Sequence, residues 1–232
     1  MKDLFGKAIL DFQTNNSPKD IITETNISEA DKMSVAYLFR DYNEMPKLEQ
    51  KALQLAKGKI LDVGCGAGSH SLYLQEKGFE VTSIDISENA IKACQLRSLK
   101  NAKTQNILEL DSDLHQNDKF DTILLLMNGT GIFQTISESS KYFQKLKNLL
   151  NPNGQILIDS SDIIYMFDED EVPIDNYYGE LTFTISYKNE TENPFPWLYL
   201  DYTLLEKLAA ENGLQCELIE NGEHYDYLAR LY

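Results

Sequence analysis

From residue 59 onward, short apolar runs alternate with stretches whose apolar residues recur every three or four positions. The runs at 59–63, 80–84, 104–108, 120–127 and 154–159 read as strands. Between them, 69–77 (ended by Gly78), 88–97 (capped by Ser87) and 137–150 (stopped by Asn151-Pro152) read as helices. Strands and helices in strict alternation predict a parallel sheet, because parallel neighbours need a long crossover between them. Farther on, Leu181, Phe183 and Ile185 alternate along a strand at 179–187. A helix at 203–212, capped by Asp201 and closed by Gly213, is followed by strands at 214–219 and 225–232 with an Asn221-Gly222 turn between them. The sheet is therefore expected to end in an antiparallel strand. Residues 1–57 read as a largely helical extension, with one helix over 29–42 and another opening at Pro46 and running to Gly58, and with a polar loop at 15–20.

Composition narrows the function classes. The chain has 232 residues, 42% of them apolar, which suits one domain with a small appendage. Against 21 Lys and Arg stand 37 Asp and Glu, a formal charge of -16 with the cations scattered. Counterion release cannot drive such a surface onto a polyphosphate, so neither nucleic acid nor an anionic membrane face is an expected partner. No run approaches the roughly 20 apolar residues of a membrane span, and the opening Met1–Gly6 lacks the apolar core of a signal peptide. A cytoplasmic location is the expectation. Cys65, Cys94 and Cys216 are far apart and have no His at ligand spacing, so they read as buried thiols, not as a disulfide framework or zinc site.

The densest chemistry lies in Ile60-Leu61-Asp62-Val63-Gly64-Cys65-Gly66-Ala67-Gly68, just before the first crossover helix. Alternate glycines let backbone approach a ligand, and the helix that follows presents unpaired N–H groups. The second strand ends in Ile84-Asp85, where a carboxylate can accept two hydrogen bonds from a ribose diol. Loop and acid together point to a nucleoside at the carboxyl edge of the sheet. A dinucleotide fingerprint fits poorly, since Ser69 stands where its third glycine belongs and it gives no reason for Asp62; no Gly-Lys-Ser/Thr follows, which excludes a P-loop. Asp62 suits either a ligand ammonium group or a structural bond to loop amides.

In these residues the chain resembles the class I S-adenosylmethionine-dependent methyltransferase family. Asp62 through Gly68 is similar to its first motif, and Gly64, Cys65, Gly66 and Gly68 would line the donor. The resemblance implies Asp85 as the ribose acid, Ile86 beside adenine, and Asp111 with Ser112 on the adenine side, Glu109 or Asp113 being alternatives to Asp111. Phe120-Asp121 and the apolar run after it resemble the fourth strand, leading to Met127 and Asn128-Gly129-Thr130-Gly131 at the mouth of the site. Residues 149–158 are similar to the turn into the fifth strand. The resemblance further implies a doubly wound, mostly parallel seven-stranded sheet of order 3-2-1-4-5-7-6. A segment before the core would fold over the donor and supply Tyr37, Arg40 or Tyr42. The activity implied is in-line transfer of a methyl group to a small-molecule acceptor, by a monomer or homodimer.

The likeness is close over 45–160 and looser through the terminal hairpin; residues 1–44 and 168–196 have no family-wide counterpart. Those two additions, an N-terminal lid over 1–57 and an insertion in a core domain of 58–232, would then select the acceptor. The mouth lacks the Pro-Pro of the amino-methylating subgroup and the Pro-Cys of cytosine enzymes, and no catalytic base or metal site stands out. His70, His115 and His224 read as surface or packing residues, 168–171 as a solvated acidic loop, and Pro194–Trp197 as either packing or pocket lining. A non-catalytic donor-binding sensor or partner module is the alternative, with a nicotinamide enzyme third.

Overall fold

The structure is a computed structural model and describes residues 2–110, 119–168, 172–173 and 176–232. In chain order its elements are α1 (Leu4–Gln13), β1 (Ile21–Thr25), β2 (Ser28–Met33), α2 (Lys47–Leu55), β3 (Lys59–Val63), α3 (Ser69–Glu76) and β4 (Glu80–Asp85). Next come α4 (Glu88–Leu96), β5 (Ala102–Thr104), β6 (Phe120–Leu125), α5 (Ile136–Leu149), β7 (Leu150–Ser161) and β8 (Glu180–Tyr187). The chain closes with β9 (Glu190–Thr191), β10 (Phe195–Leu198), α6 (Tyr202–Glu211), β11 (Cys216–Asn221) and β12 (Asp226–Leu231). A seven-stranded sheet runs in the order β5-β4-β3-β6-β7-β12-β11, the expected 3-2-1-4-5-7-6. Pairs β4/β5 and β6/β7 are parallel, whereas β12 is antiparallel to both β7 and β11.

Two compact units interleave along the chain. One comprises Met1–Met45, Leu61–Glu109 and Thr182–Phe195; the other comprises Pro46–Ile60, Leu110–Leu181 and Pro196–Tyr232. In the second unit, consecutive residues Ile123–Leu125 of β6 and Ile156–Ile158 of β7 are all buried, as strands covered on both faces must be. In the first, β1 pairs with β2 on one side and β8 on the other, so the N-terminal segment and the insertion build one small sheet. Under it lie Leu4 and Ala8 of α1 with Ile21, Val35, Ile185 and Tyr187. Tyr187 and Lys188 both donate to Asp11 Oδ2, at 3.0 and 2.6 Å.

Several expectations need correction. Residues 29–42 are not a helix: the stretch is β2 followed by a 3-10 turn over Val35–Phe39. Its buried residues are Val35 and Leu38, three apart as a 3-10 helix requires. Pro46 is the cap of α2 and not its first residue, and α2 ends at Leu55. The third core strand is Ala102–Thr104, earlier than expected, because Asn106 Oδ1 accepts from Leu108 N (3.0 Å) and turns the chain into a 3-10 turn at Ile107–Glu109. At the last hairpin Asn221 is still in β11, Gly222 N donates to Asp226 O (2.7 Å), and Tyr225 takes the left-handed φ of 61°. No helix among the described residues is long and apolar enough to cross a membrane.

Candidate active site

In the first unit, β3 runs straight into the glycine loop. Gly64 and Cys65 amides donate to Ile84 O at 2.8 and 3.1 Å, which ties the loop to the end of β4. Asp85 completes the tie: its Oδ2 accepts from Gly66 N and its Oδ1 from Ser87 N, both at 2.9 Å. Each carboxylate oxygen keeps a lone pair for a further donor, as a vicinal diol requires. Burial pushes Asp85 above the ordinary carboxylate range, against the pull of the two amides.

Gly66 decides whether a nucleoside fits. Its φ is +52°, and a Cβ added there would meet nothing within 4 Å, so bare backbone borders open space beside Asp85. At Gly68 the opposite holds: a Cβ would fall 2.9 Å from Cys94 Sγ, so this glycine serves packing as the cap of α3. Cys65 turns its thiol inward to Cys94, whose hydrogen bond together with burial raises the Cys65 pKa well above normal and keeps it protonated. Ile86 is 61% exposed just past Asp85, free to meet a planar base.

Asp62 lies deeper. It is buried, accepts from Ser71 Oγ (2.6 Å), and Ser71 in turn accepts from Ser83 Oγ (2.6 Å). Burial raises its pKa, while the field of His70 and the Ser71 bond act the other way. The segment carrying Tyr37, Arg40 and Tyr42 is fastened beside the opening of α3. Ser69 Oγ donates to Leu38 O (2.8 Å), and Arg97 sits over the Phe39 ring (4.8 Å) while donating to Ala67 O and Ser69 Oγ. Arg40 is buried, folds 4.0 Å over the Tyr37 ring and donates to Tyr37 O; Tyr42 stacks on Tyr73 at 4.2 Å. Asp111 and Ser112, expected on the adenine side, lie outside the described residues, as do the alternative Asp113 and His115.

In the second unit, the chain leaves β6 through Met127 (φ 67°) and Asn128 (φ 58°), two successive left-handed residues without glycine's freedom. Asp159 of β7 holds them: Met127 N and Gly129 N donate to its two oxygens at 3.0 and 3.1 Å. Thr130, fully buried, bonds Ser160 Oγ (2.7 Å) and donates to Leu198 O (2.9 Å). Trp197 lies so close over Gly131 that a Cβ there would come within 1.9 Å of its ring.

Sequence reasoning missed three supporting residues. Asp159 lies within β7 and Arg97 at the C-cap of α4, where a charge reads as surface. Asp3, the N-cap of α1, accepts from Ser87 Oγ (2.9 Å) and Asn89 Nδ2 (2.8 Å), anchoring the residues just after Asp85.

Known proteins share the fold of this chain. A methyltransferase-domain family matches residues 55–219, well over half of the chain. A crystal structure of an S-adenosylmethionine-dependent methyltransferase from Bacteroides fragilis, in complex with S-adenosyl-L-homocysteine, is 43% identical, covers 100% of this chain and 94% of its own, and superposes with a TM-score of 0.90. The "Putative methyltransferase YqeM" of Bacillus subtilis is 33% identical over 73% of this chain, and the glycine N-methyltransferase of Rattus norvegicus 29% over 67%. The chain spans 64% and 59% of the lengths of those two curated relatives. On its sheet order, its glycine loop and these matches, the chain belongs to the methyltransferase-domain family, in the class I branch whose methyl donor is S-adenosylmethionine.

Proposed function

We propose that this protein transfers a methyl group from S-adenosylmethionine to a small-molecule acceptor. The observation that carries the reading is the pairing of Asp85 with the Gly66 amide at the edge of open space. That arrangement presets an ionised carboxylate for a ribose diol and leaves the adjacent backbone bare for the rest of the nucleoside. When bound, the donor would supply a sulfonium methyl carbon to which an acceptor lone pair bonds in line, the thioether sulfur leaving with the electrons of the broken carbon–sulfur bond. The protein's share is orientation, which in well-aligned systems lowers a barrier by roughly 7–11 kcal/mol. No dedicated base is needed when the acceptor arrives deprotonated.

Gly64, Gly66, Asp85, Ile86 and Met127 are the donor-facing residues in this reading, with Cys65 and Gly68 packing the loop from behind, Tyr37, Arg40 and Tyr42 in the flanking segment and Asp62 setting the loop from within. Asn128, half-buried where the chain leaves β6, borders the acceptor, on a turn whose Gly129 to Gly131 are buried beneath it. That the N-terminal hairpin and the insertion share one sheet supports treating them as one substrate-selecting attachment to the core. The acidic surface favours a small acceptor over a polyanion.

Titration calorimetry with donor and with S-adenosylhomocysteine tests the reading; no heat at millimolar ligand sinks it. Asp85→Ala is expected to weaken donor binding by about 1.5–3 kcal/mol, roughly 10- to 150-fold, through loss of charge-assisted bonds. Since only the ionised carboxylate accepts both hydroxyls and its pKa is raised, wild-type affinity should begin to fall at a pH above the ordinary Asp value of 3.8. The fold responds with the opposite sign. A raised folded-state pKa makes the contribution of Asp85 to stability greatest below the unfolded value and lost as pH rises through the folded one. Labelled methyl turnover separates an enzyme from a module that only binds the donor.

A further inference from the structure

Beyond β7 the second unit carries a group of aromatic and acidic side chains that the donor site does not use. Tyr165 and Tyr225 stack on each other with ring centroids 4.8 Å apart and planes 17° apart, yet they are 53% and 63% exposed. Two large rings paired with each other and left facing solvent are not core. The backbone is bent to place one of them: Tyr225 holds a left-handed φ of 61°, an outlier for a bulky residue, and Asp162 N donates to its carbonyl at 2.9 Å. Asp162 is half-buried beside this pair. Its Oδ1 accepts from Tyr178 Oη (2.8 Å) and Ile164 N (3.0 Å), which fixes the carboxylate in place. Tyr199 lies near enough to Tyr165 that the neighbouring phenol, after burial, helps push its pKa to about 12. The group adjoins the exit from β6, because Ser161 Oγ donates to Asn128 Oδ1 (3.2 Å) and the next residue is Asp162.

The chemistry of such a surface is selective. Tyrosine faces carry negative quadrupole charge and attract cations, and a fixed carboxylate beside them strengthens that attraction while repelling anions. We infer that Tyr165, Tyr225 and Asp162 form the recognition site for a cationic group, an ammonium or quaternary ammonium, on the acceptor. The inference rests on the methyl-transfer reading for its placement on the acceptor side. The cation is the handle by which the acceptor is held; the atom that receives the methyl group lies elsewhere on the same molecule. The strained φ at Tyr225 is then maintained for binding and not for stability.

Choline and its neutral isostere 3,3-dimethylbutan-1-ol are the probes, titrated into the full chain saturated with S-adenosylhomocysteine and followed by tyrosine ring NMR. Choline is expected to shift the Tyr165 and Tyr225 signals at millimolar concentration and the neutral probe to bind about tenfold more weakly. Tyr165→Leu and Asp162→Asn should each raise the choline Kd by about three- to tenfold. Tyr225→Asn should do the same while leaving Tm unchanged or higher, because Asn tolerates the left-handed region. Equal binding of the two probes, no choline response, or variants that bind choline like wild type would each overturn the inference. If S-adenosylhomocysteine itself fails to bind, the methyl-transfer reading falls instead, and the two failures are told apart.

Discussion

The glycine loop after β3 and the turn after β6 solve the same problem in opposite ways. Both carry the chain off a strand through left-handed backbone. The first uses Gly64, Gly66 and Gly68, with φ of 71°, 52° and 81°, and leaves the backbone at Gly66 beside open space. The second uses Met127 and Asn128 at 67° and 58° and offsets the strain internally, by giving two amides to the buried Asp159 carboxylate. A loop that must let a ligand's atoms close to its backbone cannot fill that space with its own side chain. A turn that must hold a shape without a ligand does better with a buried acid behind it. Bare backbone therefore marks where a ligand closes on the peptide itself, and buttressing marks a turn whose shape is set before any ligand arrives.

Breaking the buttress should have the largest effect. Asp159→Ala strands two amides and is expected to lower stability by about 3 kcal/mol in urea unfolding, with Asp159→Asn recovering about half by keeping one acceptor oxygen. A loss under about 1 kcal/mol would show that the turn holds itself. Next comes Gly66→Ala, which puts a methyl into the open space: donor affinity should drop by about tenfold or more in calorimetry, while Tm moves only by the roughly 1 kcal/mol of left-handed strain. If Tm collapses and affinity does not, the loop is structural. Asp3→Ala removes the bonds to Ser87 and Asn89 and should cost about 1 kcal/mol of stability. Donor affinity should weaken with it; an unchanged value would mean that Gly66 alone presets Asp85. Smallest is Met127→Gly, expected to change stability by less than about 1 kcal/mol in either direction, since relief of strain competes with unfolded-state entropy.

What the sequence disclosed follows the same division. Backbone-coded features were legible: β3 spans the expected 59–63, Ser87 caps α4 through Ala90 N, Asp201 caps α6 through Leu204 N, and Asp85 sits at the tip of its strand. Features that depend on a distant partner were not. Residues 28–33 became a strand because Ile21–Thr23 lie beside them, not through any alternation of their own, for they are mostly exposed. Asp159 and Arg97 look like ordinary strand and helix charges until the amides and carbonyls they serve are brought to them. The tyrosines at 165, 178, 199 and 225 are scattered in the sequence, and no period announces their grouping.

The pairing of β1 with β8 also sets an order of events during synthesis. Ile22 finds its neighbour Ser186 only after the long stretch between them has left the ribosome. Until then the early hairpin keeps one row of amides and carbonyls open to water and to other nascent chains, and closing so wide a sequence gap is slow. The protein should thus be most vulnerable to misassembly between the emergence of β2 and that of β8, and substitutions in 183–186 should lower the yield of native protein from cells more than they lower the melting temperature of what is recovered.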